Sequence, residues 1–238
     1  MWEVCKVVNG YPGVSLNRFI NTTGAVILFL SASAYASMPQ LGARIFAPYL
    51  VVVIYLLVSE LYRKRQAPLL NMAFTLMGQM YVAVPFALLN ALVFHPNVEY
   101  SSGMEFSGWL PLCIFILLWA NDSGAYCFGS LYGKNKLFPS VSPGKSWEGS
   151  VGGGFLAVGV SLILAHFDPS MNRIEWMGFA LTVVVFGTWG DLIESLLKRQ
   201  IGIKDSGHIL PGHGGMLDRF DSCLLAVPAI CAYLTFLS

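Results

Sequence analysis

Long apolar runs alternate with short polar breakers along the 238 residues of the chain. A helix crosses a bilayer in about 20 residues, and seven runs reach or approach that length, at 20–38, 45–61, 72–94, 109–131, 151–167, 176–196 and 223–237. The runs lack a period of two, so the pattern predicts helices and not the strands of a closed barrel. We therefore expect an all-α fold, a polytopic membrane helix bundle of about seven transmembrane helices, with residues 1–238 forming a single integral membrane domain.

Composition supports a membrane protein and removes several functional classes. Hydrophobic residues make up 55% and charged residues 11% of the chain, with a mean hydropathy of +0.63, whereas soluble domains carry roughly 25% charged residues. The net charge of +1 predicts no nucleic-acid partner. The five cysteines form no CxxC pair and lie mostly in apolar runs, so we expect neither a disulfide framework nor a zinc site.

Lysines and arginines predict the orientation in the membrane. With a cytoplasmic amino terminus, twelve of them fall in cytoplasmic segments, and only Arg44 and Arg173 lie outside. This distribution predicts that the two unusual polar segments, 121–154 and 198–221, share the cytoplasmic face. The membrane we expect is the bacterial inner (cell) membrane. The two segments can therefore contribute to one site on that face.

Acidic residues gather near the ends of the last two runs. Asp191, Ser195 and Lys198 are spaced to share one helical face, and Asp218 and Asp221 are three residues apart. A carboxylate at membrane depth costs about 2.5–3.5 kcal/mol, so several together need partners. Four basic residues lie between Asp191 and Asp221, and these bases could neutralise the acids in a purely structural ion-pair network. Charge alone does not decide between that network and catalysis.

A glycine-rich turn favours catalysis. Pro211 to Gly215 reads Pro-Gly-His-Gly-Gly, and a turn with so few side chains lets backbone N–H groups approach an anion closely. Lysines precede this turn and aspartates follow it. The arrangement fits a polyphosphate bound by backbone and cations, with a divalent metal on the carboxylates, and Mg2+ prefers such hard oxygen ligands.

The segment SLLKRQIGIKDSGHILPGHGGMLDRFD, which begins at Ser195, resembles the signature of the phosphatidate cytidylyltransferases, also called CDP-diacylglycerol synthases. Upstream, Asn121-Asp122 and SPGKSWEG at 142–149 are similar to a second motif region of that family. The resemblance covers roughly residues 109–238. Members usually begin with further apolar sequence, and Met1 stands where a member would already be past one or two spans, as in a shortened chain.

The resemblance implies an enzyme of phospholipid biosynthesis that converts CTP and phosphatidate to CDP-diacylglycerol and pyrophosphate among membrane lipids, with Mg2+ as cofactor. It implies that Asp191, Asp218 and Asp221 hold the metal and that Lys204 joins them in catalysis. The implied substrate-binding residues are Asn121, Asp122, Lys145, Ser195, Lys198, Arg199, His213, Gly214, Gly215 and Arg219. Any of the cations could instead be a cytoplasmic anchor, and for Arg199 the two roles are equally weighted.

Two other functions remain open. A membrane kinase for polyprenol or phytol would also use CTP but would transfer its γ-phosphoryl group. A transporter or channel would also carry carboxylates in the membrane, but at the middle of its spans. The acids of this chain lie at the cytoplasmic ends of the predicted spans. The Gly-Lys-Ser tripeptide at 144–146 is not a P-loop, because Pro139 stands where that motif needs glycine. The sequence leaves a homodimer open.

Overall fold

The computed structural model describes residues 1–96, 104–207 and 214–237. Within those residues, seven helical segments are long and apolar enough to cross a membrane: Arg18–Ser37, Ala43–Tyr62, Pro68–Val93, Trp109–Tyr132, Trp147–Phe167, Arg173–Gln200 and Leu217–Leu237. Each contains most or all of one predicted run. The predicted all-α polytopic membrane fold is confirmed, and the chain is an integral membrane protein.

The helices and strands follow in chain order. They are α1 (Trp2–Val8), α2 (Arg18–Ser37), two 3-10 turns (Pro39–Leu41 and Ala43–Phe46), α3 (Ala47–Tyr62), α4 (Pro68–Gly78), a π-helical turn (Gln79–Ala83), α5 (Val84–Val93), β1 (Phe94–Pro96), β2 (Met104–Phe106), α6 (Trp109–Tyr132), β3 (Lys136–Phe138), β4 (Ser142–Ser146), α7 (Trp147–Phe167), α8 (Arg173–Gln200) and α9 (Leu217–Leu237). Both strand pairs are antiparallel. The sequence pattern missed α1 and the two hairpins, because such short elements leave no apolar run of membrane length.

Two compact units divide the chain, the first comprising Met1–Gly108 with Gln200–Arg219 and the second Trp109–Arg199 with Phe220–Ser238. The prediction of a single membrane domain stays a prediction. Each unit contains its own buried polar side chains and its own part of the motifs.

In the first unit, α2 packs against α3 and α5 and buries a stripe of small and polar residues, including Asn21 and Gly24. The Gln79 side chain in the π-helical turn donates to the Asn21 carbonyl oxygen over 3.0 Å. A Cβ on Gly24 would lie 3.1 Å from Val52 on α3. Small residues of this kind let membrane helices pack closely, and polar side chains then bond across the contact.

In the second unit, α6 and α7 pack backbone against backbone. A Cβ added to Gly124 would lie 2.8 Å from the Gly153 Cα, and one added to Gly153 would lie 2.5 Å from the Asn121 carbonyl oxygen. Larger residues at these positions would force the helices apart. The contact places Asn121 and Asp122 of α6 beside the amino-terminal half of α7.

Candidate active site

Three carboxylates converge in the second unit. Asp191 and Glu194 come from α8 and Asp221 from α9, and one oxygen from each lies within 4.8 Å of the others. Glu194 is fully buried at 0% exposure. Spacing and oxygen chemistry suit a hard divalent cation, because carboxylates that share one ion bring their oxygens together around it.

A close contact between α8 and α9 brings the carboxylates together. A Cβ on Gly190 would lie 2.6 Å from the Asp221 carbonyl oxygen, so only glycine allows this approach. Asp191 follows Gly190 directly and therefore lies next to the crossing. On α9, the Asp221 side chain also accepts a 2.6 Å bond from the Ser222 N–H.

Two lysines and a serine contact the acids. Lys145 forms an ion pair with Asp191, and Lys198 Nζ lies 2.5 Å from Glu194 Oε2, one helical turn away. Ser195 Oγ donates to Asp191 Oδ1 over 3.2 Å. Asp122 lies near enough to Lys145 and Asp191 to interact electrostatically with both. Four carboxylates thus face two ammonium groups, an excess of negative charge that a cation would offset.

The β3–β4 hairpin positions Lys145. Lys145 is the penultimate residue of β4, and Ser146 then caps α7 by accepting a 3.2 Å bond from the Gly149 N–H. The Glu148 carboxylate accepts from the Asn135 side chain over 2.7 Å and fixes the start of the hairpin. Because this cap begins the helix at Trp147, α7 starts before the predicted run at 151.

A polar cavity of about 210 Å³ adjoins Lys145. Its walls include Asn121 and Asp122 from α6, Ser146 and Ser150 from α7 and its cap, and Thr188 from α8. Asn121 is 4% exposed, and its Oδ1 has no hydrogen-bond partner among the described residues. A buried acceptor without a partner costs about 1–3 kcal/mol, and this oxygen lies against α7, 2.8 Å from where a Cβ on Gly153 would be.

An apolar groove adjoins the polar cavity. The groove has a volume of about 720 Å³, runs between α7 and α8, and shares Ser150 and Thr188 with the cavity. Apolar side chains such as Phe155 and Leu181 line most of it, and Trp147 and Trp189 belong to its wall. The second unit therefore has a polar cavity and an apolar groove side by side.

Asp218 lies in the first unit, where backbone groups contact its carboxylate. Gly215 N–H donates to Asp218 Oδ2 over 2.7 Å, and Ser206 N–H donates to the same oxygen over 3.0 Å. Gly214 adopts a φ of +80°, and a Cβ on it would lie 2.8 Å from Asp218 Oδ2. Asp218 thus closes a local turn, and its predicted role as a metal ligand stays a prediction.

The other predicted residues are less directly placed. Lys204 is exposed in the segment before this turn, and Arg219 is exposed in the first turn of α9. Arg199 Nε donates to the Val141 carbonyl oxygen over 3.5 Å, which links α8 to the hairpin. His213 lies outside the described residues.

Sequence reasoning missed Glu194 and Thr188 as site residues. Glu194 could have been found from its spacing, because it is three residues after Asp191 and four before Lys198 on one helix. No sequence signal identifies Thr188, which reaches the cavity only through the packing of α8 against α7.

Comparison with known proteins identifies the family. A sequence model of the Cytidylyltransferase family matches residues 1–237. The chain belongs to this family. A protein named phosphatidate cytidylyltransferase from Staphylococcus aureus (strain COL) is 38% identical over 220 residues, covering 91% of this chain and 78% of the relative. Proteins of the same name from Staphylococcus saprophyticus and Staphylococcus epidermidis are 36% and 37% identical, with the same coverage.

The predicted resemblance is confirmed, and the similarity extends beyond the predicted region 109–238. The match covers the amino-terminal spans, where the sequence pattern indicated only hydrophobicity. The first unit therefore belongs to the shared architecture of the family.

Proposed function

We propose that this chain transfers the cytidylyl group of CTP to phosphatidate, yielding CDP-diacylglycerol and pyrophosphate. The observation that carries the proposal is the carboxylate cluster of Asp191, Glu194 and Asp221 in a chain of the Cytidylyltransferase family. An oxygen of the phosphatidate phosphate attacks the α-phosphorus of CTP, and the bond to the β-phosphate breaks. The lipid supplies its own nucleophile, so the reaction needs no covalent enzyme intermediate.

We propose that the three carboxylates hold a divalent cation, with Mg2+ as the expected ion. The fit rests on three hard oxygen donors within 4.8 Å and on the local excess of negative charge. Bound there, the cation would reduce the repulsion between the two anionic substrates and stabilise charge on the transferring phosphoryl group.

The chain's own cations complement that role. Lys145 and Lys198 each contact an acid of the cluster, so both are placed to orient phosphate oxygens beside it. Ser195 holds the Asp191 carboxylate. Arg199, Arg219, His213 and the glycines 214 and 215 stay predicted substrate contacts, Lys204 stays a predicted catalytic residue, and a homodimer stays a prediction.

The two cavities suggest how the substrates divide between them. At about 210 Å³ the polar cavity is smaller than the roughly 300–1,000 Å³ of typical ligand pockets. It suits part of the nucleotide. The apolar groove suits an acyl chain of the lipid, since its shared wall at Ser150 and Thr188 would place the headgroup at the polar end.

The site is proposed to face the cytoplasm of a bacterial cell membrane, where CTP is available. The support is the lysine and arginine distribution, because positively charged residues mark cytoplasmic loops. In the second unit, Lys134, Lys136 and Lys145 all lie at the end of the helices that carries the site residues.

Product analysis with labelled CTP tests the proposal. Purified protein in detergent should transfer the α-phosphorus label into lipid in the presence of phosphatidate and Mg2+, and the γ label should appear in pyrophosphate. A γ label in the lipid would indicate a CTP-dependent lipid kinase. If folded protein leaves both labels in CTP, the proposed reaction is wrong.

A further inference from the structure

We propose that Glu3 is a positioning residue for this reaction, because its carboxylate holds together two described stretches of the motif, 204–207, which carries Lys204, and 214–218. The inference rests on the proposed function for its link to activity. Its physical basis lies entirely in the first unit, which contains both α1 and these two stretches.

The Glu3 carboxylate makes three hydrogen bonds to residues more than 200 positions away. Its Oε1 accepts from the Met216 N–H over 3.0 Å, and its Oε2 accepts from the Leu217 N–H over 2.7 Å and from Ser206 Oγ over 3.3 Å. Glu3 is only 7% exposed. A buried charge needs such partners, and the start of α9 at Leu217 also offers the positive end of a helix dipole.

The glycines of the motif make room for this carboxylate. A Cβ on Gly207 would lie 2.7 Å from Glu3 Oε1, and a Cβ on Gly215 would lie 2.8 Å from Glu3 Oε2. The position of Gly215 in the glycine-rich turn suggested close approach to a phosphate. For the described glycines 207 and 215, the anion in contact is a side chain of the protein itself.

Ser206 links this contact to Lys204. Its hydroxyl donates to Glu3, and its backbone N–H donates to Asp218. Because Ser206 is bonded on both sides, we expect it to restrict the backbone at Lys204, two residues earlier. Loss of the Glu3 contact should therefore weaken the use of CTP through Lys204 without unfolding the spans.

Glutamine cannot replace Glu3. Both carboxylate oxygens accept from backbone N–H groups, so the amide nitrogen of Glu3→Gln would direct its own hydrogens at one of those donors. Hydrogen bonds to charged groups are worth more than neutral ones. A large effect is therefore expected from an almost isosteric change, which makes this variant a sharp test.

Hydrogen–deuterium exchange and steady-state kinetics on the purified full chain provide the measurement. In Glu3→Gln, the Met216 and Leu217 amides should exchange about tenfold to a hundredfold faster, and KM for CTP should rise at least about fivefold. The same substitution at exposed Glu105 of the first unit is the control, and it should change neither quantity.

Ser206→Ala provides a second variant, because it removes one hydrogen bond to Glu3 and leaves the Ser206 backbone N–H to bind Asp218. It should change exchange and KM in the same direction by less, and the double variant should show less than the product of the single effects. Unchanged exchange in Glu3→Gln overturns the proposal, as does faster exchange with normal KM and kcat. A wild-type protein without activity refutes the proposed function instead, and the exchange rates then test the Glu3 contact on their own.

Discussion

Replacing Asp221 with asparagine should raise the stability of the protein measured without metal and should greatly lower the activity measured with Mg2+. Asp221→Asn removes one of three negative charges whose ligand oxygens lie within 4.8 Å. At an effective dielectric constant of about 20, two unit charges at 4.8 Å repel by roughly 3.5 kcal/mol. Because Asp191 and Asp221 are partly exposed, solvent screening reduces this repulsion, and we expect a gain of about 1–2 kcal/mol in the free energy of unfolding.

Activity should change in the opposite direction. Metal stabilisation of a phosphoryl-transfer transition state is worth several kcal/mol, and each 1.36 kcal/mol is tenfold in rate, so turnover should fall by roughly two to four orders of magnitude. High Mg2+ should restore part of it, since asparagine keeps an oxygen ligand but loses the charge.

Two assays on the same preparations test the expected gain in stability and the expected loss of activity. Thermal unfolding in detergent with EDTA gives the stability, and cytidylyl transfer across a Mg2+ titration gives the activity. Asp168→Asn is the matched control, since Asp168 lies at the opposite end of α7 and accepts a bond from the Ser170 N–H that an amide oxygen can also accept. If Asp221→Asn is less stable and its folded fraction turns over normally, Asp221 belongs to a structural ion pair and the reasoning is wrong.

Four further changes test other parts of the structure. Lys145→Gln leaves Asp191 without its ammonium partner and should raise KM for CTP at least about tenfold, with partial recovery in Lys145→Arg; equal KM values in all three proteins would contradict the role of this lysine. Asp218→Ala removes the acceptor of two backbone hydrogen bonds and should speed amide exchange at the donors, Ser206 and Gly215, and unchanged exchange would contradict the turn contact. Gly153→Ala should destabilise the protein by about 1–3 kcal/mol through the clash with Asn121, whereas Gly159→Ala on the same helix meets nothing within 4 Å and should be tolerated; equal stability of the two variants would count against the close contact of α6 and α7. Single cysteines at Lys136 and Glu105 in a cysteine-free background should label from opposite sides of sealed vesicles, and labelling from one side would refute the topology.

The sequence predicted the spans well because a bilayer imposes a length and a composition that apolar runs reveal directly. It could not predict the β3–β4 hairpin, since Lys136–Phe138 and Ser142–Ser146 are too short and too polar for any membrane signal. Helix ends also shifted, because α9 begins at Leu217 and not at the apolar boundary near 223.

The candidate site was likewise predicted only in part from the sequence. Asp191 and Asp221 were predicted from their types and spacing, and the structure brings them together. Helical spacing could have suggested Glu194 beside Asp191, but it does not reveal that both meet Asp221 on another helix. Glu194 joined the cluster only through the approach of α8 and α9 at Gly190, and Glu3 reached the motif from the far end of the sequence.

Binding of Mn2+, followed by electron paramagnetic resonance on the substrate-free protein, tests the role of Asp191, Glu194 and Asp221 most directly. Wild-type protein should bind Mn2+ in competition with Mg2+, and Glu194→Gln and Asp221→Asn should each weaken binding at least about tenfold, because each removes a charged oxygen ligand. Asp168→Asn should bind like the wild type. Equal Mn2+ affinity in all four proteins would contradict a cation site at these three carboxylates.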